Sequence, residues 1–310
     1  MLGATFFEGR PLLTRGRWLN SIVFLIYKLL SHTSVFKKRS SPIFIIGVGR
    51  SGTTILGKIL SLHKQAAYLN EPKALFYFLE SQDDLIGSYS HGKGAYYFDR
   101  EPTSFMTKKG KRILSAFSFL ARGKRLIVKY PEMIFRVNWL LKLFPEAQFL
   151  MILRNGHDVA LSIELWNQKN RYFDKNGNKI DWWGHNDKKW HLLVDQVLSK
   201  HSELGPKLNQ IKLMDSDYDR GIVEWILTMH EFFKISSTLQ VSTIRYEELI
   251  KKPKEVSSDI LASFNLSMDS KMLTYAFDNI KSSTKKVDHT LDVPLLLKAS
   301  FENLMSKAGY

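Results

Sequence analysis

Arg50, Ser51, Gly52, Thr53 and Thr54 lie between an apolar run, Ile43 to Ile46, and the start of a helix. A strand that ends in a glycine-rich turn and passes at once into a helix leaves backbone N–H groups pointing at the turn. Those groups and the Arg50 guanidinium suit an anion such as a phosphate, with Gly47, Gly49 and Gly52 free to take positive φ. The spacing Gly47-x-x-x-x-Gly52 is that of a nucleotide-binding P-loop, but Thr53 stands where such a loop carries its lysine, and the cation has moved to Arg50. A nucleoside triphosphatase would miss that lysine. The plainer account of the same residues is a tight strand-to-helix connection.

More polar groups follow apolar runs further along. Glu71 comes after Ala66 to Asn70 and before Pro72, which excludes helix at Glu71 and permits it afterwards. Lys129 ends the run Arg125 to Lys129, and Arg154 follows Gln148 to Leu153, the strongest strand in the chain. In an open α/β sheet the carboxyl ends of the strands form the edge where ligands bind. Asn155 is suited to cap the helix after Arg154, with Asp158 three residues on and Ser162 two helical turns beyond Arg154. Each has a structural alternative: a helix-start acid for Glu71, a snorkelling edge lysine for Lys129, a carboxylate-paired arginine for Arg154.

Gly49-Arg50-Ser51-Gly52-Thr53-Thr54 resembles the 5'-phosphosulfate loop of the sulfotransferases that use 3'-phosphoadenosine 5'-phosphosulfate (PAPS), in which Lys or Arg precedes Ser-Gly-Thr-Thr or Ser-Gly-Ser-Thr. The resemblance runs from about residue 42 to about residue 260 and is nearest in style to carbohydrate, tyrosylprotein and bacterial enzymes. It implies that Arg50, Ser51, Gly52, Thr53 and Thr54 hold the 5'-phosphate. Arg154, Asn155, Asp158 and Ser162 match the spacing of the family's 3'-phosphate motif, which gives Arg154 and Ser162 that role. Tyr246-Glu247-Glu248-Leu249 resembles a segment whose tyrosine lies near the adenine. Cytosolic members use a histidine two residues after a Lys-Thr pair, whereas Lys129 is followed by Tyr130, Pro131 and Glu132. Carbohydrate enzymes often carry Glu-Pro after the loop helix, and Asn70-Glu71-Pro72 resembles that. The implied activity is in-line transfer of the PAPS sulfuryl group to a hydroxyl of a carbohydrate, glycolipid or other acceptor, with no metal, Glu71 as base, and Arg50 and Lys129 beside it.

The elements that would carry these residues form an α/β fold: a P-loop-like three-layer arrangement with a central, mostly parallel sheet flanked by helices. The pattern predicts helices at about 53–62, 108–125 with a stop at Gly123, 131–144, 189–204 and 219–238, and strands at 66–70, 125–129, 148–153 and 240–245. Ile134, Val137, Leu140, Leu141 and Phe144 recur at helical spacing, as do Ile222, Trp225, Ile226, Met229, Phe232 and Phe233, and both sets read as core. Gly87 to Gly94 reads as a loop. The polar stretch Asn170 to Trp190 holds Trp182, Trp183 and Trp190, whose faces would suit a sugar ring or an acyl chain. Ile211 to Asp215 reads as a weak acidic strand end, the one candidate for a metal-binding aspartate.

The 310 residues suffice for one large α/β domain, expected over residues 41–310, behind a basic, amphipathic segment at 1–40. There is no cysteine, which excludes disulfides and thiol chemistry and points to a reducing, cytoplasmic compartment. The 45 Lys and Arg against 30 Asp and Glu give a net charge of +15, suited to an anionic nucleotide, sugar or lipid; the cations are dispersed and no nucleic-acid motif is present. Arg10, Arg15 and Arg17 precede the apolar stretch Trp18 to Leu30, and Lys37-Lys38-Arg39 follows it. That stretch is short of the roughly 20 residues needed to cross a bilayer and reads as a helix lying on an anionic membrane or packing on the domain. In the tail, Lys285, Lys286 and His289 lie where some sulfotransferases add phosphate contacts. The alternatives to a sulfotransferase are a P-loop nucleotide kinase or triphosphatase and a non-catalytic anion-binding protein at a membrane surface.

Overall fold

The computed structural model describes residues 20–33, 41–89, 94–98, 100–280 and 292–310. Helix α1 (Asn20–His32) precedes β1 (Ile43–Gly47), α2 (Thr53–Ser61), β2 (Ala66–Asn70), α3 (Lys73–Leu79), α4 (Ser104–Leu120) and β3 (Arg125–Lys129). A 3-10 turn, Pro131–Arg136, leads into α5 (Val137–Leu143), then β4 (Gln148–Leu153) and α6 (Gly156–Asn170). After three short strands, β5 (Tyr172–Phe173), β6 (Lys179–Asp181) and β7 (Gly184–His185), come α7 (Lys188–Leu192), α8 (Leu208–Lys212) and α9 (Asp217–Ser236). The chain closes with β8 (Ser242–Arg245), α10 (Tyr246–Lys251), α11 (Pro253–Ser263), α12 (Ser270–Asn279) and α13 (Leu295–Lys307).

Five strands form a parallel sheet in the order β2-β3-β1-β4-β8. Their near-continuous apolar runs follow from burial on both faces, which a parallel sheet covered by crossover helices requires. Along β1, Phe44 and Ile46 pack into one core with Phe76, Phe149 and Met151, while Ile43 and Ile45 pack into the other with Leu56, Leu150 and Ile260. That alternation makes the three layers. Asn70 lies opposite Lys129, Lys129 opposite Ile45, Gly47 opposite Ile152 and Leu153 opposite Arg245. The register therefore brings Glu71, Lys129, the loop after Gly47, Arg154 and Tyr246 to one edge.

Several sequence expectations are corrected. Of the three tryptophans in Asn170 to Trp190, expected to offer their faces to a sugar ring or an acyl chain, Trp183 and Trp190 are fully buried, and β5, β6 and β7 in that stretch form a small antiparallel sheet. Their indoles are committed inward, Trp183 donating to Asp217 at 2.8 Å and Trp190 to the Lys212 carbonyl at 3.4 Å. Ile211 to Asp215 is no strand end. Ile211 and Lys212 close helix α8, Ile211 packing its buried side chain into the core, and the chain leaves the helix after them. The helix expected at 189–204 is broken into α7, a π turn at Leu193–Val197 and a 3-10 turn at Leu198–Lys200. Helix α4 starts four residues earlier than expected, where the Thr103 side chain accepts from the Met106 N–H, and it ends before Gly123, whose φ is 79°.

Of the N-terminal segment, α1 is described, and Val23 and Tyr27 join the core of the main domain. The basic residues flanking it, and Lys285, Lys286 and His289 in the tail, lie outside the described residues. Among the described residues no helix is long and apolar enough to cross a membrane.

Candidate active site

A cavity of about 400 Å³ opens at the carboxyl edge of the sheet, within the range of small-molecule sites. Gly52, Thr53, Thr54, Arg50, Glu71, Lys129, Arg154, Ser162 and Tyr246 all line it. Gly52 caps α2 with φ 94° and no side-chain cap, so the first N–H groups of the helix face the cavity mouth. Arg50 itself holds φ 69°. A non-glycine residue in the left-handed region costs on the order of 1 to 3 kcal/mol and is kept only where the surroundings impose it. Ser51, by contrast, is buried away from the cavity, its hydroxyl donating to the Val48 carbonyl at 2.6 Å and closing the turn.

Two glycines are required by close approach. A Cβ at Gly49 would stand 2.4 Å from the end of the Trp182 ring, and one at Gly52 2.4 Å from the ring of Tyr246. Gly52→Ala is accordingly expected to destabilise the fold by about 1 to 3 kcal/mol, through positive φ and displacement of Tyr246. Urea unfolding measures it; an unchanged midpoint would mean that the loop is not held in this form.

The second group meets the first. Arg154 Nη1 donates to the Arg50 carbonyl at 2.8 Å, and Arg50 Nε donates to Ser162 Oγ at 3.2 Å. The Arg154 guanidinium stacks 4.4 Å over the Tyr246 ring. Its Nε is buried without a hydrogen-bond partner, the nearest carboxylate oxygen being Asp158 Oδ2 at 3.9 Å. A buried cationic donor left unmatched suits a ligand anion. Helix α6 starts beside it because the Asn155 side chain accepts from the His157 and Asp158 N–H groups.

At the other end, Glu71 follows β2 with φ 49°, its N–H donating to the Lys129 carbonyl at 2.7 Å. Its carboxylate takes a close ion pair from Lys129 on one oxygen and lies 3.5 Å from Lys73 Nζ on the other. Lys129 is buried and pairs with the acid. Glu132 stands nearby in the 3-10 turn. Burial opposes its charge, but Lys73 and Lys189 outweigh that and hold its carboxyl below the usual carboxylate range. The turn is fixed from behind: Arg136 and Asp83, both fully buried, pair at 2.5 Å, and the Tyr130 hydroxyl donates to the same Asp83 oxygen at 2.8 Å.

Trp166, Asp181, Trp182 and Lys189 complete the wall. The Trp182 N–H of the ring donates to Glu224 at 2.9 Å, and Glu224 accepts from Lys189 at 2.7 Å. The Lys189 ammonium in turn lies 4.3 Å over the Trp182 ring, while Trp166 meets that ring edge-on at 5.7 Å. Lys73 and Glu132 were missed in the sequence although they stand two and three residues from Glu71 and Lys129; the proline-started turns after each strand were the available signal. Asp181, Trp166 and Lys189 gave no such signal. Five cations (Arg50, Lys73, Lys129, Arg154, Lys189) face three carboxylates (Glu71, Glu132, Asp181) in the cavity lining, a positive balance fit for an anionic nucleotide.

Comparison with known proteins places the chain in a family. The model of the sulfotransferase family matches residues 42–270. An uncharacterised protein of Aquifex aeolicus (strain VF5) is 23% identical over 284 residues, covering 86% of this chain and 30% of that protein. The nodulation protein NoeE of Sinorhizobium fredii (strain NBRC 101917 / NGR234) is 31% identical over 130 residues, covering 39% of this chain and 30% of NoeE. The matches thus span under a third of either relative's length. Among solved structures, the sulfotransferase domain of the Synechococcus PCC 7002 olefin synthase superposes with a TM-score of 0.52 at 14% identity, over 90% of this chain and 98% of that domain. The sulfotransferase domain from the curacin biosynthetic pathway gives 0.50 at 15% identity, over 88% of this chain and 99% of that one. Those likenesses bear on the fold. With the family model matching well over half its length, the chain belongs to the sulfotransferase family.

Proposed function

We propose that the protein transfers the sulfuryl group of PAPS to a hydroxyl of a sugar, a lipid-linked sugar or a related acceptor. The observation that carries this is the convergence of the loop at Arg50 with Arg154 and Ser162 in one cationic cavity, two groups suited to anions at the ends of neighbouring strands β1 and β4. The loop N–H groups, Arg50, Thr53 and Thr54 hold the 5'-phosphate. Ser51 serves by closing the turn from within. Arg154 and Ser162 take the 3'-phosphate, and Tyr246 with Arg154 stacked on it borders the adenine.

In the reaction the acceptor oxygen bonds to sulfur as the bond from sulfur to the bridging phosphate oxygen breaks. Negative charge gathers on that bridging oxygen, where Arg50 and the α2 N–H groups stabilise it without reorganising. The acceptor proton passes to the Glu71 carboxylate, held in place by Lys129 and Lys73. Nothing in this sequence needs a metal ion, because a sulfuryl group carries less charge than a terminal phosphoryl. The Trp166 and Trp182 rings give the acceptor an aromatic wall of the kind that sugar rings pack on.

The test is to incubate the protein with PAPS and a pool of sugars and glycolipids, and in parallel with ATP and magnesium. Mass spectrometry should find an acceptor heavier by one SO3 unit with adenosine 3',5'-bisphosphate released, and ATP intact. Consumption of ATP with PAPS untouched would overturn the reading.

A further inference from the structure

Helix α1 is apolar on both sides. Val23 and Tyr27 are buried against α4 and α3, yet Ile22, Leu25 and Leu29, which recur at helical spacing on the opposite side, are 45%, 56% and 61% exposed. A helix apolar all round calls for a second apolar surrounding. Tyr27 meets Phe117 edge-on and Arg112 Nη1 donates to the Ser31 carbonyl at 3.0 Å, so α1 and α4 run antiparallel. That register brings the amino end of α1 to the carboxyl end of α4, where Phe119 and Leu120 are 53% and 59% exposed. The patch therefore continues from one helix to the other.

The two helices carry one sign of charge. The two helices hold Lys28, Lys108, Lys109, Lys111 and Arg112 and not one Asp or Glu. Lys28, Lys108 and Lys111 are exposed. Acid-free, lysine-bearing helices with an outward apolar stripe match the boundary of an anionic bilayer, where leucine side chains enter the acyl region and ammonium groups meet phosphates. At 13 residues α1 is too short to cross the bilayer and suits lying along it.

We propose that the α1–α4 face docks the protein on an anionic membrane surface. Helix α3 connects this face to the cavity: Lys73, its first residue, lines the site, while Tyr77 and Phe78 further along touch Phe24 of α1. Docking would hold the cavity one helix away from the lipid, where a lipid-linked hydroxyl is within reach. The docking itself goes beyond the transfer chemistry and is tested without it.

Full-length protein is floated with vesicles of phosphatidylcholine alone and of phosphatidylcholine with about one-third phosphatidylglycerol. Wild type should bind the second about tenfold or more tightly than the first, the preference shrinking at high salt. Leu25→Asn with Leu29→Asn should lose binding to both, and Lys108→Glu with Lys111→Glu should lose the preference for the anionic vesicle. Circular dichroism and melting check that each pair is folded; the lysine pair, wholly on the surface, carries the test if the leucine pair is not. Failure of wild type to float, or flotation unchanged by a folded pair, overturns the proposal. So does a shift from dimer to monomer in the leucine pair, which would make the face a contact between copies.

Discussion

Glu71→Gln is expected to leave donor binding close to wild type and to lower sulfuryl transfer by roughly 10²- to 10⁴-fold, the usual contribution of a positioned general base. The amide keeps the shape of the side chain, and its one oxygen can still accept from Lys129, the closer of the two lysines that hold the carboxylate, while its NH2 turns away from Lys73. It cannot take the acceptor's proton. The φ of 49° at Glu71 is a property of the backbone between β2 and Pro72 and should survive the change. Single-turnover rates beside equilibrium binding of adenosine 3',5'-bisphosphate separate the outcomes. Loss of binding along with transfer would make Glu71 the organiser of the two lysines and assign the base elsewhere, with Glu132 and Asp181 the other carboxylates lining the same cavity.

Arg50→Ala is expected to lower turnover by about 10²- to 10³-fold, the range seen when one preorganised donor to a developing oxyanion is removed. Stability should barely change. Arg50 is exposed, so removing its side chain, with its 3.2 Å hydrogen bond to Ser162, takes little buried packing away. Arg50→Lys should recover part of the loss, because it restores charge but not the planar fork that reaches phosphate and Ser162 together. Initial rates at saturating PAPS, with a thermal melt as control, decide the matter: turnover near wild type in a folded Arg50→Ala protein would remove Arg50 from the chemistry.

Which parts of this site could be read from residues alone follows from how local each part is. The loop from Gly47 to Thr54 is contiguous, and a strand, a glycine turn and a helix start are each encoded within a few residues, so its place at the sheet edge was legible although the inward turn of Ser51 was not. Glu71, Lys129 and Arg154 were legible because an apolar run ending in a polar residue marks a strand end, and parallel strands put their ends on one edge. The fold was read by the same route. What eluded the sequence depends on contacts across long separations. Trp182 reaches the cavity because Glu224, 42 residues later, holds its indole. Trp183 and Trp190, equal to it by composition, are instead drawn into the core by Asp217 and Lys212. Strands of two or three residues, as in β5 to β7, are too short to show an alternating pattern. Ser51 matches the loop pattern in type, but the one-residue difference from Gly52 turns its hydroxyl inward to Val48.

The affinity of adenosine 3',5'-bisphosphate against that of adenosine 5'-monophosphate tests the central claim most directly, because it asks whether the two groups at the sheet edge read one nucleotide. Two charge-assisted hydrogen bonds of about 1.5 to 3 kcal/mol each, from Arg154 and Ser162, predict that wild type prefers the bisphosphate by about a hundredfold or more. In Arg154→Ala that preference should shrink while the monophosphate affinity is scarcely altered. Equal binding of the two nucleotides to wild type would contradict the account, leaving Arg154 and Ser162 as supports for the loop and the cavity without its 3'-phosphate site.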